Sequence, residues 1–175
     1  MVDCAMKKIL VSLLLCLAGI QNLACAKTPG EVEVGSVLRP AQLQGLSGPS
    51  KPLLAFRGKP LIINVWASWC GPCRQEMGSL ERVSRRFGGK QLNVIGISTD
   101  DYRERAAAFL QSSNTTFSNF IDSNLFMENM LGANMLPLTL LVDGQGRVLG
   151  KVYGAKEWDS VESLAVIGKT FRIKL

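Results

Sequence analysis

Cys70 and Cys73, in the run Trp66-Ala67-Ser68-Trp69-Cys70-Gly71-Pro72-Cys73, are the residues whose types and spacing point most directly to chemistry. They follow an apolar stretch, Leu61-Ile62-Ile63-Asn64-Val65, that reads as a buried strand. They precede Arg74 to Phe87, where Met77, Leu80, Val83 and Phe87 recur at helical spacing. The pair therefore sits at a strand-to-helix junction. Pro72 fits there, because a first-turn N–H has no intrahelical partner to lose. A thiolate is the nucleophile of disulfide exchange, and free N–H groups and the dipole at a helix N-terminus stabilise it. The spacing predicts Cys70, just outside the helix, as an exposed attacking thiol. Cys73, one turn in, is the expected resolving thiol that closes an intramolecular disulfide. Trp69 offers a flat apolar surface to a partner.

Two other uses of the pair compete with this one. A zinc site within one chain fails on counting: beyond residue 26 there are two cysteines, and the chain has no histidine. A cluster shared between two chains remains the metal alternative. A purely structural disulfide closing so short a loop would remove little chain entropy. The redox reading is the one the motif favours.

Residues 1–26 read as a signal peptide, with Lys7 and Lys8 as basic region, Ile9 to Ile20 as apolar region and Ala24-Cys25-Ala26 as cleavage site. Met6 is an alternative initiator. Two alternatives stand beside cleavage: the span Ile9 to Ala26 retained as a membrane anchor, or lipidation at Cys25. Export places the protein in the periplasm or another extracytoplasmic space, where stable disulfides are normal and a working dithiol needs a partner to maintain it. Net charge is +6, and removing Lys7, Lys8 and Asp3 with the leader leaves +5. With no accompanying motif this excess does not indicate nucleic-acid binding; Arg82, Arg85 and Arg86 read as a solvated helix face.

Residues 27–34 form a linker and 35–175 one domain, long enough for its own core. Up to Pro60 the chain is expected to form a hairpin or irregular β extension, with turns at Gly45 and Gly48-Pro49. After the cysteine helix, which ends at Gly88-Gly89, a strand spans Gln91 to Ser98. Thr99 or Asp100 caps a helix to about Ser112, with Ala106, Phe109 and Leu110 inward. A strand at Phe117 to Ile121 leads to a helix capped by Asp122 or Ser123 and stopped by Gly132. Strands Leu138 to Val142 and Arg147 to Tyr153 flank an Asp143-Gly144-Gln145-Gly146 turn, read as a plain turn rather than a calcium loop. A helix from Glu157 to about Thr170 closes the chain, with Trp158, Val161, Leu164, Ala165 and Gly168 on one face. The class is α/β with a mixed central sheet flanked by helices.

From about Gly35 to the C-terminus the chain resembles the thioredoxin superfamily, and within it the exported bacterial branch of TlpA, ResA and DsbE/CcmG-like thiol-disulfide oxidoreductases. The resemblance is carried by Arg57-Gly58-Lys59-Pro60, by Asn64-Val65-Trp66-Ala67-Ser68-Trp69-Cys70-Gly71-Pro72-Cys73-Arg74-Gln75-Glu76-Met77, and by Leu136-Pro137-Leu138-Thr139-Leu140-Leu141-Val142-Asp143. It implies a thioredoxin-like fold with an N-terminal β extension and an extra strand–helix segment between Thr99 and Leu131. It also implies that Pro137 is a cis-proline lying against the dithiol. Leu136 would then offer its backbone to an extended substrate peptide, beside Trp69, Gly71 and Pro72. Where cytoplasmic-type thioredoxins carry a buried Asp, this chain has Asn64, which cannot shuttle a proton. Glu76, on nearly the same helix face as Cys73, is the expected acid–base group. Gly78 and Leu138 depart from the usual Pro and Thr of the branch, which leaves substrate preference open.

The resemblance implies an enzyme that reduces protein disulfides, apocytochrome c cysteines in cytochrome c maturation among them. It implies recharging by a membrane electron donor of the DsbD/CcdA type; no cofactor is called for, and the chain is expected to be a monomer. Two alternatives are a disulfide-forming oxidase and a non-enzymatic peptide-binding module with an idle dithiol, using Trp66, Trp69 and the Leu136 groove.

Overall fold

A computed structural model describes residues 28–175; the expected leader and Lys27 lie outside the described residues. The strands are β1 (Gln42–Gly45), β2 (Lys51–Pro52), β3 (Leu61–Trp66), β4 (Asn93–Ser98), β5 (Ser118–Ile121), β6 (Leu138–Val142) and β7 (Val148–Tyr153). The helices are α1 (Gly71–Phe87), α2 (Arg103–Ser112), α3 (Phe126–Leu131) and α4 (Val161–Phe171). All seven strands form one sheet in the order β2-β1-β5-β4-β3-β6-β7. Strand β3 runs parallel to β4 and antiparallel to β6, so the sheet is mixed, as the alternation of elements implies. The β extension is a hairpin that adds β1 antiparallel to β5. The thioredoxin-like fold expected from the resemblance is present. Among the described residues no helix is long and apolar enough to cross a membrane.

Strand β3 is buried along its whole length, so its pleat sends alternate residues to two different cores. Ile62 and Trp66 join Met77, Leu80, Val83 and Phe87 of α1, Ala106 and Leu110 of α2, and Ile167 and Phe171 of α4. Leu61, Ile63 and Val65 join Met127, Met130 and Leu131 of α3 and Leu38, Leu43 and Leu53 of the extension. Asn64 lies on the α1 side, so the helix that carries the cysteines packs over a buried amide.

Three elements begin differently from the sequence expectation. Helix α2 starts after Tyr102 without a side-chain cap, because Asp100 is used elsewhere. Helix α3 starts at Phe126, with Leu125 in the left-handed region at φ 55°. Asp122 still serves it at a distance, its Oδ2 accepting the Glu128 N–H at 2.8 Å, and Gly132 ends it at φ 75°. Helix α4 starts at Val161 rather than Glu157, with Ser160 Oγ accepting the Ser163 N–H at 3.1 Å. Its buried stripe is Leu164, Ile167 and Phe171, while Val161 and Ala165 face solvent. The reason lies just upstream: residues 156–158 run past α1 in a non-helical path and hydrogen-bond to it, which delays the helix and changes its phase. Asp143 is absorbed by its turn, Oδ1 accepting the Gln145 and Arg147 N–H groups at 2.9 and 2.8 Å.

Trp66 also needs a partner for its indole N–H, and Asn119 Oδ1 of β5 accepts it at 2.9 Å. Gly96 of β4 makes room for that bond: a Cβ there would stand 1.9 Å from Asn119 Oδ1 and 2.8 Å from Trp66 Nε1. Gly96→Ala should destabilise the fold by about 2 kcal/mol, through overpacking and loss of a buried hydrogen bond. Urea denaturation checks this, and an unchanged midpoint would contradict it.

Candidate active site

Cys70 is the N-cap of α1, and Gly71 and Pro72 open the helix as the junction requires. Cys70 and Cys73 form a disulfide with Cα atoms 5.3 Å apart. The Cys73 N–H donates to Cys70 Sγ at 3.2 Å, so a first-turn helix donor points at the sulfur that would carry charge on reduction. Cys73 is fully buried. Cys70 is less open than expected, at 5 % exposure, with its sulfur bonded to that of the fully buried Cys73. Trp69 beside it is 70 % exposed.

The loop carrying Trp69 is fixed from below by a residue the sequence expectation put at a helix cap. Asp100 is buried, and its Oδ2 accepts the Ser68 N–H at 2.9 Å and the Ser98 hydroxyl at 2.7 Å. Its Oδ1 accepts the Ser68 hydroxyl at 2.6 Å. Trp66 lies fully buried against Phe109, ring centroids 5.3 Å apart, and so belongs to the core and not to a binding surface.

Trp69, Cys70, Gly71, Pro72 and Leu136 line one open groove of about 570 Å³. The Leu136–Pro137 peptide bond is cis. Leu136 makes no backbone hydrogen bond within the described residues, whereas Pro137 is buried and its carbonyl accepts the Gly154 N–H at 2.9 Å. The opposite wall comes from the segment between Thr99 and Asn134, with Asp101, Leu125 and Glu128 facing the groove. These residues escaped the sequence reading, since nothing local in them signals a wall.

Glu76 does not reach the groove. It is a buried carboxylate at 1 % exposure, not a solvated helix residue. Asn64 Nδ2 donates to Oε1 at 2.7 Å; the Trp158 indole N–H and the Lys156 backbone N–H donate to Oε2 at 2.9 and 3.1 Å. Burial pushes its pKa above the ordinary value of 4.5, and the hydrogen bonds from Trp158, Lys156 and Asn64 oppose that rise. Trp158 was legible only as a core residue; a buried indole also demands an acceptor, and that demand is the signal that could have pointed to Glu76.

Residues 34–157 match the AhpC/TSA family. The chain belongs to that family. It is similar to the thiol-disulfide oxidoreductase ResA of Geobacillus thermodenitrificans, at 26 % identity over 131 residues and 75 % of each chain. It is also similar to the thiol:disulfide interchange protein DsbE of Yersinia pestis, at 32 % identity over 117 residues, covering 65 % of this chain and 60 % of that one. A solved DsbE-like protein from Chlorobium tepidum shares the fold with a TM-score of 0.73 at 24 % identity, covering 80 % of this chain and 99 % of that one. This AhpC/TSA member is a thiol-disulfide oxidoreductase of the ResA/DsbE type, and the Cys70–Cys73 disulfide agrees with that class.

The raised Glu76 pKa has a consequence for stability. The folded protein binds the Glu76 proton more tightly than the unfolded chain does, so this residue's contribution is fully present below about 4.5 and is lost as pH rises through the folded value. The disulfide-bonded protein should therefore lose stability relative to Glu76→Gln as pH rises from about 4.5 through that range. Urea titrations of both proteins check the difference, and parallel curves would contradict it.

Proposed function

We propose that this protein is an exported reductant of protein disulfides, working through Cys70 and Cys73 with Glu76 as the proton-exchanging group. In the reduced protein the Cys70 thiolate attacks one sulfur of a substrate disulfide. A Cys70–substrate S–S bond forms, the substrate S–S bond breaks, and the departing substrate thiolate takes a proton. Cys73 then gives its proton to Glu76 and attacks Cys70 Sγ. The mixed disulfide breaks, the second substrate sulfur leaves as a thiolate that takes up a proton, Glu76 gives up the proton it received, and the protein is left as the disulfide. Leu136, with its backbone unpaired among the described residues, is the edge on which an extended substrate segment would align beside Trp69 and Pro72.

The observation that carries the direction is the buried Glu76 carboxylate, one helical turn beyond Cys73. Strong disulfide donors owe their oxidising power to a stabilised reduced form, in which a low thiol pKa holds the thiolate. A buried carboxylate near the thiols works against that thiolate and so favours giving electrons away. The bond from Cys73 N–H to Cys70 Sγ acts the other way but reaches one sulfur only.

Apocytochrome c cysteines and a DsbD/CcdA-type electron donor fit this reading as substrate and partner, through the ResA and DsbE resemblance. Residues 1–26 fit a secretory leader, cleaved or retained as an anchor. Pro137 is buried and does not itself line the groove; in this reading its cis bond sets the path of the chain at Leu136, which does.

Cys70→Ser should abolish disulfide reduction, and Cys73→Ser should accumulate a mixed disulfide with substrate that alkylation and mass spectrometry detect. Glu76→Gln should slow exchange on the order of 10²-fold at neutral pH and flatten the acid limb of its pH profile. Full activity in Cys70→Ser would overturn the dithiol reading. An unchanged profile in Glu76→Gln would remove Glu76 from it.

A further inference from the structure

Asn64 is fully buried between Glu76 and Thr139, and both of its amide hydrogens are engaged. Nδ2 donates to Glu76 Oε1 at 2.7 Å and to Thr139 Oγ1 at 3.0 Å. Its Oδ1 is buried with no hydrogen-bond partner among the described residues. An orphaned acceptor is a costly feature in a core, and one set between an ionisable group and a hydroxyl calls for a physical reason.

The surroundings of Glu76 supply one. Strand β3 faces it through Asn64, and β6 through Thr139 behind Asn64. The segment before α4 faces it through the Lys156 N–H and the Trp158 indole N–H. All of these are neutral. The Lys156 side chain is exposed, Glu157 and Asp159 pair with Arg82 at the surface, and on its own helix Cys73 is held in the disulfide. The three groups that touch the carboxylate all donate, which suits the ionised form. A protonated Glu76 would bring a hydroxyl hydrogen with no acceptor to receive it.

We propose that Asn64 is a positioning residue whose side-chain amide turns over when Glu76 takes a proton. Turned over, Oδ1 occupies the place of Nδ2 and accepts from the Glu76 hydroxyl. Thr139, which can donate as well as accept, reverses its bond and donates to the same Oδ1. The unpaired atom changes from Oδ1 to Nδ2. As found, one acceptor, Oδ1, is unpaired, whereas the turned-over amide leaves both Nδ2 hydrogens unpaired, so the ionised form of Glu76 favours the first orientation and only the bond from the Glu76 hydroxyl offsets the second. An amide can serve both forms of the acid, whereas a fixed donor at this position would hold Glu76 ionised and resist proton uptake. The inference rests on the reading of Glu76 as the group that exchanges a proton with Cys73, and it explains how so buried a carboxyl can change state without disrupting its surroundings.

The oxidised protein is the right material, because neither cysteine titrates in it. With 15N and 13C labelling, NMR follows the Asn64 side-chain amide, assigned by through-bond correlation to its own Cβ, together with the Glu76 carboxyl carbon. The expected result is that both Asn64 amide protons leave their hydrogen-bonded shifts in step with Glu76 protonation. An amide that keeps its hydrogen-bonded shifts throughout the Glu76 titration would overturn the proposal. Asn64→Leu gives a second reading. If Asn64 serves both forms, its loss changes the proton affinity of Glu76 by less than a factor of about three. A fixed donor predicts a rise of about tenfold, and that rise would also overturn the proposal. If the amide turns over while Glu76→Gln leaves exchange untouched, the switch stands and the assigned role of Glu76 falls.

Discussion

The hydrogen bonding of Glu76 ties the architecture to the chemistry. A carboxyl on the second turn of α1 is buried, and a buried carboxylate is tolerable only when its oxygens are well bonded. Asn64 of β3 and the 156–158 segment supply the bonds. That requirement locks the cysteine helix to the central strand on one side and to the approach of α4 on the other. Ser79 reinforces the second connection, its hydroxyl accepting the Trp158 backbone N–H at 3.0 Å. The late start of α4 follows from the same constraint, since residues 156–158 must stay extended enough to present two N–H groups to one carboxylate oxygen.

Around that anchor the reactive end of the molecule is held from several directions. The strand–helix junction places Cys70 at the N-cap, and Asp100 fixes the preceding loop through Ser68. The cis Leu136–Pro137 bond brings a backbone edge, unpaired among the described residues, beside the same groove. The loop after β4 and the segment around α3 complete the opposite wall with Asp101, Leu125 and Glu128. The disulfide presents little of itself, and most of what a partner would meet is Trp69 and this groove.

The parts legible in the sequence were those whose signal is local and periodic. The apolar run of β3, the i, i+3, i+4 stripe of α1 and the turn at Asp143 emerged as read. The cis bond at Leu136–Pro137 was legible only through the family resemblance, because an isolated Leu-Pro in front of a strand reads as an edge-strand start. Long-range polar pairing was not legible. Asp100 looks like a helix cap from its neighbours, yet it binds Ser68, thirty-two residues away. Trp158 reads as the first residue of a core stripe, yet its indole N–H is directed to Glu76. The stripe of α4 was misphased for the same reason: Ile167 and Phe171 set it, after a helix start that depends on a contact with α1. The exposure of Cys70 was overestimated because a junction position implies access, while burial at this position depends on tertiary packing that local sequence does not show.

Whether the buried Glu76 carboxylate makes this protein a donor of electrons is read from the equilibrium reduction potential of the Cys70–Cys73 pair. Thiol alkylation in redox buffers reads it. The account predicts a value well below about −200 mV, toward the thioredoxin end of the known range. A value near about −120 mV, that of the strongest disulfide donors, would contradict it and make the protein an oxidant.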